Sequence, residues 1–208
     1  MAIEKALFRQ VMGRFTTGVT VVTTSSQGVL AGLTVNSFCS VSLNPPLVLI
    51  CIDTRSTTLP LFRESNIFAV NILTAQQEQW SRGFATNSSE RFEHFCHAPY
   101  HTASTGAPVI DDVLAFVDAR IVAEYPAGDH VIFIGQVEAI GMADQAAFVD
   151  DHGQAGEEIP GFNGPIGQED DNPLLYYAGQ YRHLESQFHE PSLEENQEKH
   201  VEEPARGR

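Results

Sequence analysis

The chain has 208 residues, of which 42% are hydrophobic and 9% aromatic, the composition of one globular domain with a core of its own. Its formal net charge of -15 at pH 7 excludes nucleic acid and anionic membrane surfaces as expected partners, because like charges would repel. No apolar segment approaches the roughly 20 residues of a membrane helix, and the three cysteines are widely spaced, so we expect a cytoplasmic protein with reduced thiols.

The first predicted element is an amphipathic helix over residues 3 to about 15, ending before Gly18. Its apolar side chains recur at four-residue spacing, which predicts one buried stripe: Ile3, Leu7, Val11 and Phe15. β-Branched residues then predict a strand over residues 19–24, a hairpin turn over 25–28 and a returning strand over 29–35. The chain is therefore expected to begin with a helix and a β-hairpin.

Small polar side chains occupy alternate positions along the next stretch: Thr34, Asn36, Ser40 and Ser42. While the chain stays extended, these side chains project to one face of the strand and the intervening apolar ones project to the other. A wall of small neutral donors and acceptors suits a large, flat, polar ligand. After a turn at residues 44–46, a continuous apolar run over residues 47–52 predicts a strand that is buried on both faces.

A polar hexapeptide, residues 53–58, follows that strand. It offers the guanidinium of Arg55 and four hydroxyls immediately before a short predicted helix over residues 59–64, in which Pro60 suits the first turn. Amides at a helix start, together with hydroxyls and an arginine, can bind a phosphate group. The same hydroxyls can also serve as an ordinary helix cap, and the residue types alone leave both interpretations open.

A strand over residues 67–73 leads to a second helix, for which Thr74 and Gln77 have the spacing of a capping box. Beyond it, Phe84 and Phe92 fit core packing as well as contact with a ligand. Four potential metal ligands follow in a cluster: His94, Cys96, His97 and His101. Their spacing matches no regular zinc pattern, and no second pair elsewhere would complete a tetrahedral site, so we expect no metal.

The longest predicted strands form a hairpin over residues 113–125 and 130–140. Charged residues at even spacing predict that the first of these strands has one partly wet face: Asp118, Arg120 and Glu124. Many short strands and few helices predict a mainly-β fold, a small antiparallel barrel with peripheral helices. A doubly wound nucleotide fold is not expected, because no Gly-x-Gly-x-x-Gly turn follows a strand.

The last part of the chain departs from this regular pattern. Residues 150–172 are rich in glycine and acids and have no period, which indicates either a functional or a mobile loop. A final strand and turn are expected over residues 173–182. Residues 185–208 contain too few apolar side chains to fold alone. We therefore expect one domain over residues 1–184, followed by a disordered acidic tail.

Several motifs resemble those of the flavin reductase family of FMN-binding split barrels, which supply reduced flavin to two-component monooxygenases. The resemblance runs from about residue 8 to residue 184, with the insertion at 150–172 as a departure. The motifs that carry it are the polar stretch at residues 32–50, the Phe84-Ala85 pair followed by Arg91-Phe92, the loop at 99–110, the Gly128-Asp129-His130 signature and the final residues 173–182.

The resemblance implies a Greek-key-type split barrel, a homodimer with flavin sites near the subunit interface. His130 would contact the nicotinamide, with Asp129 fixing its tautomer. The flavin contacts that it implies are Thr34, Asn36 and Ser37 at the ribityl or phosphate portion, Ser40, Val41 and Ser42 at the ring, Cys51 and Asp53 beside the pocket, Arg55, Ser56 and Thr57 at the phosphate, Phe84 and Arg91 near the flavin, and Tyr181 on the nicotinamide side.

The resemblance leaves alternative functions open. The first is an NAD(P)H:flavin oxidoreductase that transfers hydride to flavin N5 and releases reduced flavin to a monooxygenase component. The second is an FMN-binding electron carrier that keeps its flavin and exchanges electrons with a protein partner, and a third is a reductase of a corrinoid or quinone. The Gly-Asp-His setting of His130 favours the first. The flavin is FMN or FAD, and the acidic charge favours NADH over NADPH.

Overall fold

The computed structural model of the protein describes residues 3–86, 98–142, 145–148 and 172–184. Within these ranges the helices are α1 (Lys5–Met12), α2 (Leu59–Ser65) and α3 (Glu78–Phe84), and a 3-10 turn (Ala75–Gln77) lies directly before α3. The strands in the same ranges are β1 (Thr17–Gly18), β2 (Thr20–Ser26), β3 (Val29–Val35), β4 (Phe38–Leu43), β5 (Pro46–Asp53), β6 (Ile67–Ile72), β7 (Tyr100–Thr102), β8 (Pro108–Ile110), β9 (Ala115–Ala127), β10 (His130–Met142), β11 (Gln145–Phe148), β12 (Leu175–Tyr177) and β13 (Gln180–Arg182).

Most strands form one antiparallel sheet in the order β3-β2-β6-β9-β10-β5-β4, with β11 paired to β10. β3 and β4 lie at opposite edges of this order, yet only Asn36 and Ser37 separate them in the sequence. Because an extended residue spans only about 3.5 Å, the two edges must approach each other there and the sheet curls into a barrel. Two small sheets, β1-β12-β13 and β7-β8, complete the fold. The predicted antiparallel barrel is confirmed.

Two predicted hairpins are present. Gln27 and Gly28, with φ of 49° and 80°, connect β2 to β3 in a two-residue turn that is shorter than predicted, because β2 continues to Ser26. Gly128 and Asp129 connect β9 to β10. The second hairpin places the Asp129-His130 pair at the end of the sheet, directly beside the end of β5.

Helices α2 and α3 are each anchored on the sheet by a buried phenylalanine. Phe62 of α2 stacks on Phe133 of β10, with ring centroids 6.4 Å apart, in a buried apolar cluster that includes residues of β5. Phe84, at the end of α3, lies fully buried in a second cluster with residues of β2 and β9. The capping box predicted for Thr74 and Gln77 is present at the turn before α3. These anchors position the loop before α2 and the end of α3.

The apolar stripe of α1 is not buried, and the helix is shorter than predicted. It ends at Met12 instead of residue 15. The exposed fractions of the stripe residues are 74% for Ile3, 53% for Leu7, 60% for Val11 and 73% for Phe15. The prediction of a buried stripe is therefore wrong, and no part of the chain that the structure describes covers the apolar face of α1.

Two further burial predictions are wrong. β5 is not buried on both faces, because its side chains alternate between buried ones, such as Ile50, and half-buried ones, such as Leu49. Asp118 does not lie on a wet face of β9, because it is fully buried and accepts hydrogen bonds from the backbone amide and hydroxyl of Thr105. A loop outside the strand covers this position, which strand periodicity alone does not report.

Some predictions concern segments for which the structure gives no account. Residues 87–97, most of the insertion at 150–172 and the tail at 185–208 lie outside the described residues. The final segment is described: where one strand and a turn were predicted over residues 173–182, β12 and β13 pair as a hairpin, here called the closing hairpin. None of the helices within the described ranges is long and apolar enough to cross a membrane.

Candidate functional site

A groove lies where the edges of the barrel approach each other. One part, a pocket of about 370 Å³, is lined by Leu33, Thr34, Asp53, Arg55, Ser56, Phe84 and Ala85. A neighbouring pocket of about 230 Å³ shares Thr34 and Ala85 and adds Val19, Val35, Asn36, Tyr176 and Tyr181. The two pockets are neighbours that share these two lining residues, and together they are called the groove.

The polar row predicted along residues 34–42 is interrupted. β3 ends at Val35, β4 begins at Phe38, and the pairing of β4 with β5 shifts register between Ser40 and Ser42. Each interruption changes which face the next side chain occupies, since strand side chains alternate. The prediction of four side chains on one face is therefore wrong, although Thr34 and Asn36 do line the groove.

The hydroxyls near these interruptions bond to the protein itself. Thr34 donates to the carbonyl of Ser81 at 2.6 Å, which ties β3 to α3. Ser37 donates to the carbonyl of Cys51 at 3.0 Å, which ties the β3–β4 link to β5. The Ser42 hydroxyl accepts from the backbone amide of Asn44 at 3.2 Å. Of these three residues, Thr34 lines the groove, and the Ser37 and Ser42 hydroxyls are engaged in bonds within the chain.

An ion pair occupies the loop after β5. The Nε and Nη2 atoms of Arg55 donate to the two carboxylate oxygens of Asp53 at 3.1 and 2.7 Å. The backbone amide of Arg55 also donates to Asp53 Oδ1, at 2.8 Å. These hydrogen bonds from Arg55 hold the pKa of Asp53 far below its ordinary value, so the carboxylate stays ionised. The cation predicted to bind phosphate is thus paired with an acid inside the chain.

The hydroxyls before α2 are divided between the loop and the helix. Ser56 lines the groove, and its hydroxyl lies 2.8 Å from that of Thr58. Thr58 is fully buried at the N-cap position but makes no side-chain capping bond. Thr57 is exposed and does not line the groove. Of the hydroxyls predicted to bind phosphate, the structure places that of Ser56 in the groove.

His130 lies beside this ion pair. Its Nδ1 atom is 2.8 Å from Asp129 Oδ1, and its backbone pairs with Asp53 across β10 and β5. The amide and hydroxyl of Thr54 both donate to the carbonyl of Asp129, at 3.0 and 3.1 Å. The hydrogen bond from His130 holds the pKa of Asp129 below its ordinary value. These hydrogen bonds therefore join the turn that carries Arg55 to the turn that precedes His130.

Aromatic side chains close the other end of the groove. The Tyr181 hydroxyl lies 2.8 Å from Ser81 Oγ, and the Arg82 guanidinium carbon lies 4.7 Å from the centre of the Tyr181 ring. Tyr176 packs edge-on against the same ring, with centroids 5.5 Å apart. Sequence reasoning identified Tyr181 but missed Ser81 and Tyr176. The signal for Ser81 was its place next to the Phe84-Ala85 motif.

Of the remaining predicted site residues, Phe84 lines the groove, whereas Cys51 and Val41 are not among its lining residues. Cys51 is half-buried on β5, where burial raises the pKa of its thiol. The side chain of Phe84 is fully buried, so the core-packing alternative holds for most of its surface. Val41 is exposed on β4. Arg91 lies outside the described residues.

One of the four candidate metal ligands, His101, lies in the part of the chain that the structure describes. No group of three His, Cys, Asp or Glu side chains within those ranges could hold a metal ion. His101, one of the four candidate ligands, lies 2.8 Å from Asp111 Oδ1. The other three, His94, Cys96 and His97, fall outside the described residues.

Comparison with known proteins agrees with this architecture. Residues 12–185 match the family model of the flavin reductase like domain. The chain therefore belongs to the flavin reductase family, and its fold is the split barrel of that family. The predicted family membership and fold class are confirmed.

Three similar proteins illustrate the family. The chain is 30% identical over 190 residues to the flavin-dependent monooxygenase reductase subunit HsaB of Mycobacterium tuberculosis, covering 91% of this chain and 88% of that protein. It is 42% identical over 130 residues to the FMN reductase (NADH) SmoA of Agrobacterium fabrum, covering 62% and 72%. Among solved structures, the NADH:FAD oxidoreductase SgcE6 of Streptomyces globisporus, in complex with NAD and FAD fragments, is 30% identical with a TM-score of 0.69, covering 89% and 95%.

Proposed function

We propose that this chain is an NAD(P)H-dependent flavin reductase that transfers hydride from nicotinamide to FMN or FAD and supplies reduced flavin to a partner monooxygenase. The observation that carries the proposal is that the hydrogen-bonded turns bring His130 beside Asp53 and Arg55, which line the groove. The names of three relatives support it, since they are an FMN reductase (NADH), an NADH:FAD oxidoreductase and a reductase subunit of a monooxygenase.

The residues of the groove fit a flavin. Arg55 and the Ser56 hydroxyl are donors suited to a phosphate, and Thr34 and Asn36 offer polar groups along the adjoining wall. Ser37, Ser40, Val41 and Ser42 would contribute mainly through the backbone at the edges of the barrel. When bound, the flavin supplies the ring that accepts a hydride. The chain's own task is to bind two flat rings in contact and to exclude water.

His130 is the residue we assign to the nicotinamide side. Its side chain is 44% exposed, so a ligand can reach it. In a neutral imidazole, the hydrogen bond to Asp129 keeps the proton on Nδ1. The Nε2 atom can then accept a hydrogen bond from a substrate amide. Tyr181 offers an aromatic surface at the other end of the groove. We expect NADH to be preferred, because the carboxylates of Asp53 and Asp129 near His130 disfavour a 2′-phosphate.

We also propose that the protein is a homodimer formed through α1. The uncovered apolar face of α1 would otherwise remain in water. The end of α1 is tied to the closing hairpin: Ala178 donates its amide to the carbonyl of Gly13 at 2.8 Å, and Arg14 donates to the Tyr177 hydroxyl at 3.2 Å. Since Tyr176 and Tyr181 of that hairpin line the groove, a dimer formed through α1 would lie beside the site.

The test follows NADH oxidation by absorbance, with and without added FMN. We expect steady oxidation that requires flavin and that falls at least about tenfold in His130→Ala, the typical scale for loss of a group that positions substrate. The matched control is Gln136→Ala, an exposed position on the same strand, which should retain activity. Flavin binding without NADH consumption would contradict the reductase and favour an electron carrier instead.

A further inference from the structure

Asp53 is an acid placed where a phosphate is expected. Its side chain is 32% exposed and lines the same pocket as Arg55 and Ser56. A phosphate bound at Arg55 and Ser56 would bring its negative charge close to this carboxylate. A site selected only for tight phosphate binding would not keep an ionised acid at this position.

Asp53 also accepts hydrogen bonds from the guanidinium of Arg55 that a phosphate would use. Arg55 has five N–H donors on its guanidinium, and the Nε donor and one Nη2 donor are directed at Asp53. Asp53 Oδ1 accepts the Arg55 backbone amide as well, so the loop itself holds the carboxylate in place. Among the described residues that line this pocket, these two carry the formal charges, and their charges cancel. An incoming phosphate must therefore share Arg55 with Asp53.

We propose that Asp53 competes with the flavin phosphate for Arg55 and thereby lowers the affinity of the site for phosphorylated flavin. The inference rests on the proposed function. An enzyme that passes reduced flavin to another protein must release a product with the same phosphate as its substrate. An acid that weakens phosphate binding in both redox states makes that release faster. Because the pair is exposed to solvent, which screens charge, the effect is moderate.

The test measures flavin binding in the absence of NADH, by quenching of flavin fluorescence, for the wild type and for Asp53→Asn. The amide has nearly the same shape as the carboxylate but no charge. We expect the Kd for FMN to fall about three- to tenfold, the scale of one solvent-screened charge interaction. The Kd for riboflavin, which has no phosphate, should stay unchanged.

Asp112→Asn is the matched control, because Asp112 is exposed, lies outside the groove and loses the same charge. It should leave both dissociation constants unchanged. Weaker FMN binding in Asp53→Asn would overturn the proposal, since Asp53 would then position Arg55 for the phosphate. An equal shift for FMN and riboflavin would also overturn it.

A second comparison guards against a variant that is merely misfolded. Arg55→Ala should weaken FMN binding more in the Asp53→Asn background than in the wild type, because the uncharged partner leaves the guanidinium free for the phosphate. A smaller effect in that background contradicts the competition. Turnover separates this inference from the proposed function. If NADH is oxidised but FMN binding does not tighten, the inference fails alone, whereas tighter FMN binding without NADH oxidation rejects only the reductase.

Discussion

Asp118 lies in an environment opposite to the expected one. Its carboxylate is fully buried on β9 and accepts two hydrogen bonds from Thr105. Burial raises the pKa of Asp118 in spite of these bonds. The folded protein therefore binds a proton on the Asp118 carboxyl group more tightly than the unfolded chain does. The stabilising effect is complete at acid pH, below the pKa of an unfolded aspartate, and is lost as pH rises through the raised pKa.

Asp118→Asn tests this linkage. The amide cannot ionise, so the free energy of unfolding of the variant should rise relative to that of the wild type between pH 4 and pH 8. The measurement is urea denaturation at several pH values across this range. Any hydrogen bond lost with the substitution shifts all values equally, so the pH slope is the diagnostic quantity. A difference that stays constant with pH contradicts the expected linkage.

At the scale of elements, β10 depends on close packing against its neighbours. A Cβ atom built on Gly135 would lie 2.6 Å from Cε1 of Phe68 and 3.0 Å from Cβ of Ala119. Phe68 is fully buried on β6, so its ring has little space to move aside. The glycine is required here by the close approach of the Phe68 ring rather than by an unusual φ.

Gly135→Ala should lower the free energy of unfolding by about 1–3 kcal/mol, the usual cost of overpacking a core. Gly18→Ala is the control, because a Cβ atom at Gly18 on β1 meets nothing within 4 Å. The control should change stability by less than about 0.5 kcal/mol. Equal thermal and chemical denaturation curves for Gly135→Ala and the wild type would show that the core adapts without cost.

Individual elements were predictable because their signals are local. Residues 29–35 are mostly apolar and follow turn residues, and β3 has the predicted bounds. The polar row was not predictable, because the break at Asn36 and Ser37 and the shift in β4 arise from closure of the barrel. The pairing of Arg55 with Asp53 likewise depends on a loop conformation that residue types do not specify. Arg55 and Ser56 were therefore predicted as site residues, but the acid's competing role was not.

For the whole molecule, the apolar face of α1 is the feature that a lone chain leaves unexplained. The spacing of its apolar residues predicted a buried helix face. The helix is present, but no described part of the same chain covers that face. A second copy supplies the missing cover in the proposed homodimer. The domain over residues 1–184 stays a prediction, and in the proposal it is the part of the chain that pairs.

We expect the wild type to have twice the mass of one 22.8 kDa chain by size-exclusion chromatography with light scattering. Leu7→Gln combined with Val11→Gln should weaken the dimer about ten-thousandfold, because two apolar side chains in each of the two copies would each lose about 1.5 kcal/mol of burial. Val29→Gln, on an exposed strand position away from α1, should leave the mass unchanged. A monomeric wild type would contradict the proposed assembly.

The closing hairpin has a consequence for biosynthesis. The Tyr181 hydroxyl reaches Ser81, 100 residues earlier in the chain, and β12 pairs with β1 near the N-terminus. The wall that this hairpin contributes can form only after the ribosome has released residues 175–182. Flavin therefore cannot stabilise an early nascent chain through the complete groove. Any gain in stability from the ligand comes only after the first and last strands have met.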